Sequence, residues 1–153
     1  MNIGLSISIF EPGFLKFILA YLRQDCLPPG SMIKLYFAAD HLPFGLPPTA
    51  ASLAAYLGML EGFDIPWLVS SFGEDCVGCG LAEEAIKRGG HVQVGLEPYS
   101  GDRTPTNVEL VREAVAVAER HGRPVATPTE AAEILGLPTF PVPFAARDTD
   151  RTQ

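Results

Sequence analysis

The sequence has few cysteines and few basic residues. Its 153 residues include three cysteines, Cys26, Cys76 and Cys79. So small and odd a number excludes a disulfide-stabilised scaffold and is typical of a reducing compartment. Lysine and arginine total 11 against 18 aspartate and glutamate, which gives a net charge of −7. Because phosphate backbones and anionic lipids attract cationic surfaces, this composition predicts neither a nucleic-acid partner nor a membrane partner.

The sequence also lacks a hydrophobic run of the roughly 20 residues that a membrane-spanning helix requires. Its most apolar stretch, residues 14–22, is interrupted by Lys16. Residues 1–10 contain no basic region of the kind that precedes the apolar core of a secretory signal. These absences predict a cytoplasmic protein.

Apolar residues nevertheless make up 47% of the chain, which is enough for one domain with a buried core. Four apolar segments have the composition of β-strands, and a helical pattern follows each of them. The predicted strands span residues 5–10, 32–38, 65–72 and 91–97. Capping boxes at Thr106 with Glu109 and at Thr127 with Glu130 predict the starts of two further helical segments near the end.

Strands that alternate with helices usually pair in parallel, as in a doubly wound sheet or a (β/α)8 barrel. Three of the predicted strands have polar residues on one face, including Ser8, Lys34 and Gln93. A sheet covered by helices on both faces should be apolar throughout, so the polar positions favour a barrel. A complete barrel needs roughly 250 residues. The predicted fold class is therefore α/β, of the TIM-barrel type, with four parallel βα units forming a half-barrel.

Residues 89–97, with the sequence Gly-Gly-His-Val-Gln-Val-Gly-Leu-Glu, resemble the β-keto acid cleavage enzyme family, whose members read GGHVRVGLED. The similarity extends to residues 104–111, 122–130 and 132–136, and residues 9–13 resemble the start of the family's fifth barrel unit. The resemblance implies that residues 1–138 are the carboxy-terminal half of the barrel, units five to eight. Residues 139–153 are predicted to form a loosely docked tail.

The resemblance implies a zinc-dependent enzyme that exchanges acyl groups between a β-keto acid and acetyl-CoA, which yields acetoacetate and a new acyl-CoA. The family's zinc is held by a His-x-His pair from the amino-terminal half and by the glutamate that ends the eighth strand, Glu97 in this chain. No His-x-His occurs in the sequence, so the zinc site of this chain would be incomplete. A divalent ion suits the reaction because it stabilises the enolate that forms when the keto acid is cleaved.

Three positions depart from the family pattern. The family's catalytic base, an acidic residue after the metal-binding glutamate, is replaced by Pro98, which transfers no proton. An arginine of the family is replaced by Gln93, which removes a fixed cation. A glutamate found in many members is replaced by Ser8. These departures predict either altered chemistry or an isolated chain that is inactive.

Lys34 and Gln93 are the candidate substrate-binding residues, because both lie on the polar faces of predicted strands. A lysine at this position either binds a substrate carboxylate or phosphate, or pairs with a carboxylate inside the barrel. Tyr36, on the same strand face, is more typical of a packing residue, whose ring is buried while its hydroxyl reaches a polar neighbour.

Two other classes of function remain open. Cys76 and Cys79 form a CxxC motif before a helix, where the helix amino terminus lowers the pKa of a thiol, as in thiol redox proteins. A half-barrel also exposes unpaired strand edges, which predicts a non-catalytic assembly module. Such edges would be completed in a homo-oligomer or by a separate amino-terminal half.

Overall fold

A computed structural model describes residues 3–137, so the predicted tail over residues 139–153 lies outside the described part of the chain. Strands and helices alternate along the chain up to the fourth strand, and two helices follow it. The elements are β1 (Ser6–Ile9), α1 (Pro12–Leu22), β2 (Met32–Ala38), α2 (Ala50–Leu60), β3 (Trp67–Phe72), α3 (Leu81–Lys87), β4 (His91–Val92), α4 (Asn107–Arg120) and α5 (Pro128–Ile134). Within residues 3–137, no helix is long and apolar enough to cross a membrane.

The four strands form one sheet in the order β1-β2-β3-β4, and each neighbouring pair is parallel. The register places Ser8 beside Lys34 and Lys34 beside Leu68. Each parallel connection passes through a helix, which is the arrangement that parallel neighbours require. The prediction of an α/β protein with four parallel βα units is therefore confirmed.

The core lies between one face of the sheet and helices α1, α2 and α3. In β2, the alternating side chains of Ile33, Leu35 and Phe37 point into this core and are fully buried. The helices contribute a set of apolar side chains to the same core, namely Leu15, Leu19, Leu53, Tyr56, Leu60, Leu81, Ala82 and Ala85. The opposite face, which we call the open face, carries the alternate residues Ser8, Lys34, Tyr36, Ser70 and Gln93.

The predicted helix starts at Thr106 and Thr127 are confirmed. The Thr106 hydroxyl accepts the N–H of Glu109, and the Glu109 carboxylate accepts the N–H of Thr106 at 2.7 Å. Thr127 and Glu130 form the same reciprocal pair. Each pair satisfies two backbone donors that the first helical turn leaves free, so the signal in the sequence is local and strong.

The fourth strand is much shorter than predicted. The sequence predicts a strand over residues 91–97, whereas β4 contains only His91 and Val92. The Gln93 N–H still donates to the carbonyl of Val69 at 2.9 Å. Beyond it the chain leaves the sheet, and the Leu96 N–H donates to Oδ1 of Asn107 at 3.1 Å. The first residue of α4 has therefore replaced β3 as the hydrogen-bonding partner.

Helix α4 packs on α3 with a different face from the one that its apolar spacing indicates. The buried residues of α4 are Leu110 and Val117. Val108 and Val111, which fall at helical spacing with Val115 and Ala118, are 56% and 51% exposed. Val111, together with Val115 and Ala118, borders an apolar groove of about 600 Å³ between α4 and β4, with Val92 on the other side. An apolar helix face is thus left without a partner among residues 3–137.

Candidate functional site

The segments that follow β2, β3 and β4 meet at the carboxyl edge of the sheet. The Gly73 N–H, just after β3, donates to the Pro98 carbonyl at 3.0 Å. The imidazole of His41, which follows β2, packs on Gly73 so closely that a Cβ there would lie 2.9 Å from Cε1. Gly73 also has a φ of +70°. Both the close contact with His41 and this backbone conformation therefore favour glycine at the position. In parallel α/β folds the carboxyl edge is where ligands bind.

A cleft of about 520 Å³ opens between the segments that follow β2 and β3. His41, Glu74 and Thr49 line it. His41 is exposed, and Glu74 is half-buried. These groups can hydrogen-bond a polar ligand at the carboxyl edge, and no motif in the sequence marks any of them as functional.

The structure brings both candidate substrate-binding residues to Tyr36 on the open face. The Lys34 ammonium nitrogen Nζ lies 5.5 Å from the centroid of the Tyr36 ring. The Tyr36 hydroxyl donates to Oε1 of Gln93 at 3.4 Å. Tyr36 is buried, as the pattern predicted, but it also links Lys34 to Gln93. The three side chains therefore form one polar group on the open face.

Tyr36 also belongs to a cluster of four aromatic rings at the carboxyl end of the open face, which we call the aromatic layer. It consists of Phe10, Tyr36, Phe44 and Phe72. Phe10 stacks on Tyr36 with ring centroids 4.7 Å apart, and Phe72 lies 5.2 Å from Tyr36. The Glu11 carboxylate accepts the Gly45 N–H at 2.9 Å, which anchors the loop that carries Phe44. Sequence reasoning missed this layer, although aromatic residues at or just beyond strand ends were a visible signal.

Glu97 is exposed and lies in the segment that leaves the sheet after β4. Its neighbour Pro98 is buried and makes the backbone contact with Gly73. Among residues 3–137, no group of three His, Cys, Asp or Glu side chains is placed to hold a metal ion. A catalytic zinc site takes three protein ligands, so the described residues do not by themselves fit zinc.

Burial opposes ionisation of both thiols of the CxxC motif. Cys76 is buried in the core, and burial raises the pKa of its thiol to about 12. Burial also raises the pKa of Cys79. Both residues lie in the turn before α3, which begins at Leu81, and the expected lowering of the thiol pKa by the helix is wrong because desolvation dominates.

Arg103, an exposed residue in the segment before α4, forms ion pairs with Glu113 of α4 and with Asp75 in the segment after β3. Arg103 donates to Glu113 at 2.7 Å and to Asp75 at 3.1 Å. Arg103 lowers the pKa of the Glu113 carboxyl through this hydrogen bond. Asp75 in turn accepts the N–H groups of Val77 and Gly78, each at 3.0 Å. These contacts fix the segments that flank Pro98 at the carboxyl edge.

Four parallel βα units whose connecting segments meet at the carboxyl edge define this chain as an α/β protein. The chain belongs to the beta-keto acid cleavage enzyme family, whose model matches residues 1–137. The resemblance seen in residues 89–97 is thereby confirmed.

Curated relatives of this family are similar to different lengths of the chain. A 3-keto-5-aminohexanoate cleavage enzyme of Acetoanaerobium sticklandii is 49% identical over 61 residues, which are 37% of this chain and 22% of the relative. A protein of the same name from Fusobacterium nucleatum is 30% identical over 139 residues, 86% of this chain and 47% of the relative. A 3-oxoadipate:acetyl-CoA acetyltransferase of Cupriavidus necator is 33% identical over 96 residues, 59% of this chain and 33% of the relative. The chain thus spans less than half the length of these relatives.

Proposed function

We propose that this chain supplies barrel units five to eight of an enzyme that exchanges acyl groups between a β-keto acid and acetyl-CoA. The bond between the keto carbon and the α-carbon of the keto acid breaks. The released acyl group passes to the CoA sulfur, and the acetyl group of acetyl-CoA passes to the α-carbon. The products are an acyl-CoA and acetoacetate. The names of the relatives from Cupriavidus necator and Acetoanaerobium sticklandii support this class of reaction.

The observation that carries the proposal is the family match over residues 1–137, which includes the segment that ends at Glu97. The contact between Gly73 and Pro98 keeps this segment at the carboxyl edge of the sheet. A (β/α)8 barrel displays its catalytic groups at that edge. We assign Glu97 the role of one carboxylate ligand to zinc and Lys34 and Gln93 the role of substrate contacts.

The remaining zinc ligands in this proposal come from a partner. The groove beside β4 and the exposed valines of α4 support a missing neighbour at one end of the sheet. At the other end, Phe14 and Phe17 of α1 are 54% and 62% exposed. Apolar surfaces at both ends of an open sheet favour closure by further βα units. Those units belong either to a separate amino-terminal half or to a second copy of this chain.

Pro98 and Gln93 set the chemistry that this chain can perform. Pro98 offers no proton-transferring group where the family has its acidic base. Gln93 is neutral, and its Oε1 already accepts the Tyr36 hydroxyl. The chain alone therefore catalyses no acyl exchange in this proposal, and any base in the completed barrel is another residue.

A test of the proposal compares two glutamate variants in the completed barrel. The amino-terminal half of the Fusobacterium nucleatum relative is supplied in trans, and acyl-CoA formation is followed by chromatography. Glu97→Gln should abolish turnover because it removes a metal ligand. Glu61→Gln, an exposed residue at the end of α2, is the matched control and should leave turnover unchanged. Turnover that is unaffected by Glu97→Gln would contradict the role of Glu97.

A further inference from the structure

The outer edge of β4 can pair with one more strand. Within residues 3–137, β4 is the last strand of the sheet and pairs with β3 alone. The Gln93 N–H donates to the Val69 carbonyl at 2.9 Å, so the backbone groups of Gln93 point towards β3. Successive residues of a strand direct their backbone groups to opposite edges, so those of the preceding residue, Val92, point away from the sheet. Such an edge is a template for a further strand.

The groove of about 600 Å³ lies along this edge and is largely apolar on both sides. Leu68 lines it on the open face, whereas Val111 and Val115 line it from α4. Ile134 of α5 also lines the groove. A strand that enters the groove is therefore covered on both faces, and it needs apolar side chains on both.

Residues 140–144, which read Phe-Pro-Val-Pro-Phe, have the composition of such a strand. They lie outside the described residues. Alternate residues of an extended chain direct their N–H groups to the same edge. The two phenylalanines and Val142 therefore offer donors to one edge, whereas the two prolines have none to offer to the other. Because proline is confined to edge strands in sheets, this pattern is typical of the last strand of a sheet.

The segment starts within reach of the groove. Leu137 packs on Gly30, which precedes β2, so closely that a Cβ on Gly30 would lie 3.0 Å from the Leu137 Cδ2 atom. A strand beside β4 lies three strand spacings from β2, or about 14 Å. Residues 138–142 span up to about 17 Å when extended. A strand that starts at this amino edge runs parallel to β4, and a connection through α4 and α5 is the usual crossover between parallel neighbours.

We propose that residues 140–144 occupy the groove as a fifth, parallel strand beside β4. An N–H group of the segment donates to the Val92 carbonyl, and the Val92 N–H donates to a carbonyl of the segment. Burial of apolar side chains against the valines of α4 stabilises the added strand. The inference does not depend on the proposed function, but it has a consequence for it. The segment must leave the groove before a strand of another barrel half pairs with β4, so it competes with that partner.

NMR spectroscopy of the full chain tests this placement. We expect nuclear Overhauser contacts between Val142 and Val92 and slow exchange of the Val92 amide proton with solvent. Val142→Pro removes the central N–H of the segment and should speed this exchange at least about tenfold. Thr149→Pro is the matched control, because it adds a proline outside the segment and should leave the exchange rate unchanged. Circular dichroism shows whether both variants are folded, and the contacts in the unchanged chain remain decisive if Val142→Pro is not.

Three results would overturn the inference. They are absence of contacts between Val142 and Val92, contacts of the segment with β1 instead of β4, and an exchange rate of the Val92 amide that Val142→Pro does not change. A mixture of isotope-labelled and unlabelled chains identifies contacts between two copies, and contacts of that kind alone would also overturn it. None of these measurements involves acyl-CoA formation, so the placement of the segment and the proposed function can fail separately.

Discussion

Replacement of Gly90 by alanine should destabilise the protein, because the indole of Trp67 packs directly on Gly90. A Cβ at this position would overlap the Trp67 ring atoms Cζ3 and Cη2. The backbone of Gly90 cannot easily move away. Its N–H donates to the Ala85 carbonyl at 2.9 Å, and its own carbonyl accepts a hydrogen bond from Arg123. The added methyl group must therefore displace the indole.

The magnitude follows from the cost of overpacking. Inserting a methyl group into a well-packed site costs about 1–3 kcal/mol of unfolding free energy. Gly58 provides a matched control, since it lies in the last turn of α2 and a Cβ there meets nothing within 4 Å. Gly58→Ala should raise the unfolding free energy by about 0.5–1 kcal/mol because alanine has the higher helix propensity. The two glycine-to-alanine variants should therefore shift stability in opposite directions.

Urea denaturation followed by circular dichroism measures both variants, and the fluorescence of Trp67, the single tryptophan, gives a second signal. Agreement of the two signals establishes a two-state transition. A Gly90→Ala protein as stable as the unchanged protein would refute the packing of Trp67 on Gly90. Loss of stability in Gly58→Ala would show that the effect is general to glycine replacement.

Three further predictions concern the last long helix, the buried thiol and the metal. Thr106→Ala should lower the unfolding free energy by about 1 kcal/mol in urea titrations, because it removes the capping box of α4; an unchanged midpoint would contradict this. Burial raises the pKa of Cys76 from 9.0 to about 12, so between these values only the unfolded thiol ionises and stability falls as pH rises. Cys76→Ala should reduce this pH-dependent loss of unfolding free energy by up to about 1.4 kcal/mol per pH unit, whereas Cys26→Ala should leave it unchanged. Equal pH dependence in both variants would refute the claim that the buried Cys76 thiol causes it. Metal analysis of the purified chain should find much less than one zinc per chain, because residues 3–137 gather no three-ligand group; one tightly held zinc would overturn that expectation.

Much of the fold is predictable from local signals in the sequence. The threonine and glutamate pairs at Thr106 and Thr127 fix their helix starts through contacts three residues apart. Alternation of apolar residues along β2 identifies the face that the helices cover. These features depend on neighbours in the chain, so they need no knowledge of the tertiary structure.

The features that sequence reasoning missed depend on distant parts of the chain. The end of β4 is set by whether a neighbouring strand continues to pair, and past Gln93 the hydrogen bond goes to Asn107 instead. The buried face of α4 is set by its contact with α3 and not by its own valine spacing. The aromatic layer needs the register that aligns Phe10, Tyr36 and Phe72 from three separate strand segments.

The candidate site was predictable only in part. Lys34 and Gln93 were identified from strand alternation, and Tyr36 was predicted to pack its ring with its hydroxyl on a polar neighbour, but the identity of that neighbour, Gln93, depends on the fold. The pKa of the Cys76 thiol was predicted to shift in the wrong direction. The spacing of the motif indicates that a helix begins nearby, but it does not show that the thiol is buried away from water. The roles of Glu97 and Pro98 stay predictions that activity measurements must decide.

The central claim is that this chain contributes one half of a barrel whose activity needs the other half. The most direct measurement is acyl-CoA formation from a β-keto acid and acetyl-CoA as increasing amounts of the amino-terminal half of the Fusobacterium nucleatum relative are added. We expect no turnover by the chain alone and turnover that rises until the two halves are equimolar. Turnover by the chain alone would contradict the claim, and so would a stable equimolar complex that forms no acyl-CoA.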